Sequence, residues 1–227
     1  KMKLQYLGHS AFLFSDSQNR TILIDPFLTG NPLSPVKASQ VKADYIILTH
    51  AHSDHIGDAL TIADKRKTTI ICVVELASII SKNGYNTHPL QIGGAFQFPF
   101  GKVKMVTAFH GSATSNGLYA GLAAGVVFKL DHKTIYHCGD TGIFGDMKLI
   151  GEIDKIDVLL IPIGGNYTMD IDDAVRAVSL IQPELAIPMH YNTFDLIRAN
   201  PQEFVDKITA NGFAGKVLKP GEELQFS

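Results

Sequence analysis

Cysteine is scarce in this chain: Cys72 and Cys138 are the two among 227 residues. A disulfide framework and a cysteine-built metal site are both excluded, because each needs closely spaced pairs. An excess of positive charge is missing too. Lys and Arg number 20 against 22 Asp and Glu, a net charge of −2. Proteins that coat polyanions rely on clustered positive charge, so nucleic acid is not expected as a partner. The apolar runs fall far short of the roughly 18 residues of a membrane span, and no membrane association is expected. The N-terminus, Lys1-Met2-Lys3-Leu4-Gln5-Tyr6, has no long apolar stretch and no small-residue cleavage site. With so few cysteines, this predicts a cytoplasmic, reducing location. Assembly into a homo-oligomer is left open.

What is present suits a globular chain. Apolar residues make up 45%, and a chain of this length buries on the order of 70% of its unfolded surface. No linker or low-complexity stretch divides it, which predicts one domain over residues 1–227. Short β-rich runs at 4–6, 11–14 and 21–24 open the chain, and 29–39 form a loop with two prolines. A buried strand is expected at 45–48, a helix at 58–65, a strand at 69–74 and a helix at 75–82. Residues 102–108 read as a strand, and 122–130 with 133–138 as a hairpin around Asp131-His132. The last third reads as βα: strands at 157–161 and 185–188, helices at 170–181 and 201–210, and a final strand at 223–226. Asp170 to Asp173 suit a helix N-terminus. Thr21-Ile22-Leu23-Ile24-Asp25 and Thr134-Ile135-Tyr136-His137-Cys138-Gly139-Asp140 look alike. Both are strands closing on an Asp, a weak internal duplication. It predicts two β-rich halves packed face to face with helices outside.

Histidine is abundant, at nine residues. Three crowd into Leu48-Thr49-His50-Ala51-His52-Ser53-Asp54-His55-Ile56-Gly57-Asp58, between a strand and a helix. Imidazoles and a carboxylate on one tight loop are hard to place without a cation, and they suit Zn, Mn or Fe. His110, Asp140 and His190 each close a predicted strand. Alone, Asp140 reads equally as a turn cap and the two histidines as buried structural groups. Beyond strand ends, however, is where α/β architectures build sites.

His-x-His-x-Asp-His followed by a lone His, a lone Asp and a final His resembles the metal signature of the metallo-β-lactamase superfamily. Gly8-His9-Ser10, Tyr136-His137-Cys138-Gly139-Asp140-Thr141-Gly142 and Ile187-Pro188-Met189-His190-Tyr191-Asn192-Thr193-Phe194 resemble more closely the metal-dependent hydrolases related to ascorbate-6-phosphate lactonase. The resemblance implies an α/β fold, a four-layer αββα sandwich. It also implies two divalent metal ions, with Zn the first expectation and Mn the next. His50, His52 and His110 would hold one; Asp54, His55 and His190 would hold the other; Asp140 would bridge them. Asp54 and Asp140 are thereby placed at the catalytic centre, where a metal-bound water becomes a nucleophile near neutral pH. Two-metal β-lactamases place Cys where this chain has Asp140, so antibiotic hydrolysis is not expected. The helical extension of glyoxalase II-like thioesterases, the flavin domain of diiron reductases and the RNA-clamping arm of tRNA-processing relatives are not seen.

Other groups are candidates for support or substrate contact. Asp25 is expected to orient a ligand histidine, as such a residue does in the superfamily. His9 reads as a turn residue or as a supporting or substrate-facing group, and His137 as a buried support. Cys138 reads as core, and His88 and His132 as turn residues. Asn166, Tyr167, Tyr191 and Asn192 lie in loops on the same rim and could contact substrate. Few Lys or Arg adjoin them. The expected function is hydrolysis of a small-molecule ester or lactone. The alternatives are a phosphodiesterase or nuclease of the same superfamily, and a non-catalytic metal-binding protein.

Overall fold

The computed structural model describes residues 1–226. Strands β1 (Met2–Tyr6), β2 (Phe12–Ser15) and β3 (Thr21–Ile24) form an antiparallel meander. Then β4 (Tyr45–Ile47), short helices α1 (Ser53–Ile56) and α2 (Ala59–Ile62), β5 (Thr69–Val73), α3 (Val74–Ser81) and β6 (Thr87–Leu90) extend the sheet in parallel. The second sheet repeats the plan. Strands β7 (Ala95–Phe98), β8 (Gly101–Thr107), β9 (Ala124–Leu130) and β10 (Lys133–His137) are antiparallel. After them come α4 (Met147–Asp154), β11 (Val158–Pro162), α5 (Ile171–Ile181) and β12 (Leu185–Met189), the two strands joining in parallel. Helix α6 (Pro201–Ala210) follows, and β13 (Glu223–Phe226) returns to flank β1.

The two sheets hold seven and six strands and pack as a mixed α/β sandwich with helices outside. Phe14 on β2 meets Phe128 on β9 edge to face, with ring centroids 5.1 Å apart. One buried apolar cluster runs through both sheets. Strands β5, β11 and β12 are apolar on both faces because sheet and helix layers cover them from either side. Helix α5 buries Ala174, Ala177, Val178 and Ile181, one face at helical spacing. Its first turn is capped by Asp170, which accepts the Asp173 N–H. Helix α6 starts on Asn200 and Pro201, a cap and an N1 proline.

The differences from the sequence expectations have local causes. The helix expected at 58–65 is the single turn α2, and a further turn not expected, α1, precedes it, set apart at Gly57 with φ 45°. A Cβ there would lie 2.4 Å from the Pro26 carbonyl oxygen, so glycine is required for the close approach. Edge strands β6 and β7 were not foreseen. Pro89 interrupts one, and the other is largely exposed, so neither has a clean alternation. Helix α4 was missed too; it spans two turns and carries Gly151 inside. His88 is no turn residue. It sits in β6 with its ring 4.3 Å from that of Phe96.

Candidate metal centre

The segments that close the strands meet on one rim. Asp25 follows β3, His50 follows β4, His110 follows β8, Asp140 follows β10 and His190 follows β12. The turn between β1 and β2 brings His9 beneath them, and its carbonyl accepts the His190 N–H at 2.9 Å. His9, Asp25 and His190 all adopt φ of 43–56°, the left-handed region that such residues rarely enter. Three residues of the centre thus hold a backbone conformation uncommon outside glycine.

Asp140 is the hub. Its Oδ1 lies 3.2 Å from His55 Nε2. Its Oδ2 lies 3.1 Å from His190 Nε2, 3.5 Å from His110 Nε2 and 4.0 Å from His50 Nε2. His52 Nδ1 stands 3.0 Å from His50 Nε2 and 3.3 Å from His110 Nε2. On the other side, Asp54 Oδ2 lies 3.7 Å from His55 Nε2 and 3.8 Å from His190 Nε2. All seven expected ligand residues are therefore brought together.

The atoms behind them set the direction of each lone pair. Asp25 is fully buried and accepts the Thr49 N–H at 2.9 Å, the Thr49 hydroxyl at 2.6 Å and the His55 Nδ1–H at 2.7 Å. The Thr49 hydroxyl in turn faces His50 Nδ1 at 3.0 Å. We assign the ring protons to Nδ1 of both histidines, which leaves each Nε2 an acceptor aimed at the centre. One buried carboxylate therefore orients His55 directly and His50 through Thr49. His9 does the same for Asp54. Its Nε2 lies 3.0 Å from Asp54 Oδ2, and its Nδ1 takes the Thr193 hydroxyl at 2.8 Å. Both nitrogens of His137 are engaged, with the Ser10 carbonyl and the Gly139 N–H, so it supports the fold behind the centre.

The donor set fits a cation. His55 Nε2, His190 Nε2 and Asp140 Oδ1 are buried without a hydrogen-bond partner. Orphaned buried acceptors facing one another are costly in an apolar surrounding, and a divalent ion satisfies them together. Three sets of side-chain donors converge within 4.8 Å: His9, Asp54, His55 and His190; His50, His52 and His110; and His50, His55 and Asp140. The charges also act on one another: against the lowering effect of burial, Asp140 and Asp25 push His55 well above the ordinary imidazole value, and Asp140 and Asp54 push His190 to about 9. Burial would raise the Asp140 carboxyl, but His190 and His55 hold it well below the usual range. Burial would likewise raise Asp54, which His190 and His9 hold down. Burial pushes His50 well below the ordinary imidazole value and His9 down to about 4, keeping both neutral.

The expected substrate residues fare differently. Tyr191 is buried against the apolar core, and burial pushes its phenol up to about 12. Asn192 turns its side-chain oxygen back onto its own loop, accepting the Ala199 N–H at 3.0 Å. Asn166 and Tyr167 remain exposed on the loop after β11. Thr49, Thr193, Phe27 and Phe194 were not singled out from the sequence as working parts. Each adjoins or contacts a ligand or its support, and that adjacency was the available signal for Thr49 and Thr193.

The comparisons with known proteins point the same way. Residues 20–191 match the β-lactamase superfamily domain. A UPF0173 metal-dependent hydrolase of Carboxydothermus hydrogenoformans is 48% identical over 223 residues, covering 97% of this chain and 98% of its relative. The chain belongs to this family. A UPF0173 metal-dependent hydrolase of Bacillus cereus strain G9842 is 47% identical, covering 98% of this chain and 99% of its own. Igni18, a metallo hydrolase from the archaeon Ignicoccus hospitalis, superposes with a TM-score of 0.90 at 38% identity, covering 100% of this chain and 99% of its own. The fold is also that of an isothiocyanate hydrolase from Delia radicum gut bacteria, with a TM-score of 0.79 at 22% identity over 99% of both chains. As a UPF0173 member, the protein is a metal-dependent hydrolase of the metallo-β-lactamase superfamily. Among the described residues, no helix is long and apolar enough to cross a membrane.

Proposed function

We propose that the protein hydrolyses a small uncharged ester or lactone at a binuclear centre. The observation that carries this reading is the Asp140 carboxylate, which faces His55 and His190 of one triad and His110 and His50 of the other. His50, His52 and His110 would hold one ion, Asp54, His55 and His190 the second, and Asp140 both. Zn is the first choice for a set with five imidazoles, and Mn the next. Two such ions supply Lewis acidity and acidify a water toward a pKa of ~7.

The chain's own residues do the positioning. Asp25 and Thr49 engage Nδ1 of His55 and His50 and aim each Nε2 inward. His9 restrains Asp54 as an acceptor, so this carboxylate serves as a ligand and not as a free base. The substrate is selected by the rim. Across the loops 25–36, 49–58, 108–123, 138–146, 163–170 and 189–200, Arg198 is the one Lys or Arg. Its guanidinium is taken by Asp195 at 2.6 Å. A phosphodiester backbone calls for Lys and Arg contacts, whereas a carbonyl needs no fixed cation. A cytoplasmic site of action completes the reading, supported by two free, buried thiols.

The test compares kcat/KM of metal-loaded protein on lactones and esters with that on bis-aryl phosphodiesters and single-stranded RNA. A tenfold preference for lactone or ester is expected, about 1.4 kcal/mol of transition-state binding. A tenfold preference for either phosphodiester overturns the proposal in favour of a nuclease or phosphodiesterase.

A further inference from the structure

The rim around the centre is aromatic where the sequence suggested amides and phenols. Phe27 and Phe194 stack with ring centroids 6.2 Å apart and an interplanar angle of 30°. Both stand edge-on to His9, at 5.7 and 5.5 Å. His9 is the residue that bonds Asp54 and lies 4.2 Å, ring to ring, from His190. The pair is therefore one side chain removed from two ligand residues. Phe194 nevertheless keeps 41% of its surface exposed, and Phe27 is half-buried.

An aromatic left open beside a polar centre needs a reason, because burying it in the core would be favourable. The wall is also rigid. Asp58, three residues beyond His55, accepts the N–H groups of Leu28 and Thr29 at 3.0 and 2.7 Å, and Asn31 donates to the Phe27 carbonyl at 2.9 Å. Thr193, next to Phe194, is pinned by its bond to His9. Two neighbouring loops thus spend polar contacts on holding two phenyl rings still.

We infer that Phe27 and Phe194 form the subsite for an apolar substituent of the substrate, an alkyl or aryl group attached to the reacting carbonyl. This rests on the carbonyl-hydrolysis reading and narrows it: the preferred substrates are apolar esters or lactones, and sugar lactones are poor ones. Tyr191 is largely buried, and Asn192 commits its side-chain oxygen to the Ala199 N–H. The two phenylalanines are specificity residues; they touch the substituent and not the reacting atoms.

The test uses binding as well as turnover. Acetohydroxamate, pentanoyl hydroxamate and phenylacetohydroxamate are titrated calorimetrically into Zn-loaded wild type and Phe194→Ala. Each ligates metal through the same head group and differs only in its substituent. In the wild type, affinity is expected to rise by about threefold per methylene placed on the wall, and tenfold or more for the phenyl group. In Phe194→Ala, with metal content unchanged, the phenyl gain falls to threefold or less while acetohydroxamate binds as before. Should Phe194→Ala lose metal, Phe194→Leu carries the test, with a reduced phenyl gain and a retained alkyl gain. An equal gain in wild type and variant, or none in wild type, overturns the subsite. In parallel, kcat/KM is measured on acetate, butyrate and hexanoate esters. Rising values that flatten in Phe194→Ala support the subsite, and an identical rise in both proteins overturns it. Absence of all ester and lactone turnover, with the hydroxamate gain intact, overturns the hydrolytic reading and leaves the subsite standing.

Discussion

Asp25→Asn isolates what one buried carboxylate does for the metal centre. The substitution preserves shape, and Asn tolerates the φ of 43° at this position better than Ala would. Asp25 accepts three hydrogen bonds, two from Thr49 and one from His55. An amide has one acceptor oxygen. Whichever way it is turned, its NH2 group faces a donor, either the Thr49 N–H or the pair formed by the Thr49 hydroxyl and His55 Nδ1–H. A buried donor left unpaired costs about 1–3 kcal/mol. For a chain of this size the midpoint of unfolding should fall by about 2–4 °C per kcal/mol. The effect on metal is separable. His55 loses its orienting charge, and His50 loses the partner that fixes Thr49, so affinity should drop 10–100-fold, about 1.4–2.8 kcal/mol. Competition with a coloured chelator measures the affinity, and calorimetry of the metal-free protein measures the stability. Asp44→Asn is the control, since Asp44 accepts similar bonds from Thr21 at an exposed edge. A variant whose metal affinity stays within twofold of wild type would refute the orienting role.

Asp140→Ala removes the group that faces both halves of the donor set, His55 and His190 on one side and His110 and His50 on the other. Elemental analysis of reconstituted protein should fall from about two ions per chain to one or fewer, with turnover lost. A wild-type ratio saturating near one would remove the bridged model. Gly164→Ala tests how closely β12 and its following loop are packed. The added Cβ would meet the His190 carbonyl oxygen at 2.2 Å and Ile197 at 2.9 Å. A loss of about 1–3 kcal/mol is expected, with weakened metal retention, read by thermal unfolding and metal analysis. Cys72 and Cys138 are buried, and burial raises both thiols far above neutral pH. Neither should react with a thiol reagent at pH 8 until denaturant unfolds the chain; rapid modification of native protein would contradict this packing.

Much of the centre was legible because metal ligation imposes residue type and spacing on a short segment. His50, His52, Asp54 and His55 occupy one loop, so their common purpose is local information. The buried strands and the capped helix α5 were legible for a similar reason: periodicity and end signals act within a few residues. The repeat of a strand closing on Asp25 and another closing on Asp140 marked two sheets built to one plan.

Tertiary structure decided everything that depends on which side chains cross between segments. Asp25 reaches Thr49 and His55 from the neighbouring parallel strand, and His9 reaches Asp54 45 residues on and Thr193 184 residues on. Tyr191 packs against the core and Asn192 bonds back onto its own loop, which adjacency in sequence alone did not reveal. Phe194 comes to lie beside Phe27, two rings far apart in the chain and brought together over His9. Ligand identity is written in local spacing because coordination is a matter of residue chemistry. Orientation, support and specificity depend on through-space distances of a few ångströms, and only the packing of the two sheets sets those.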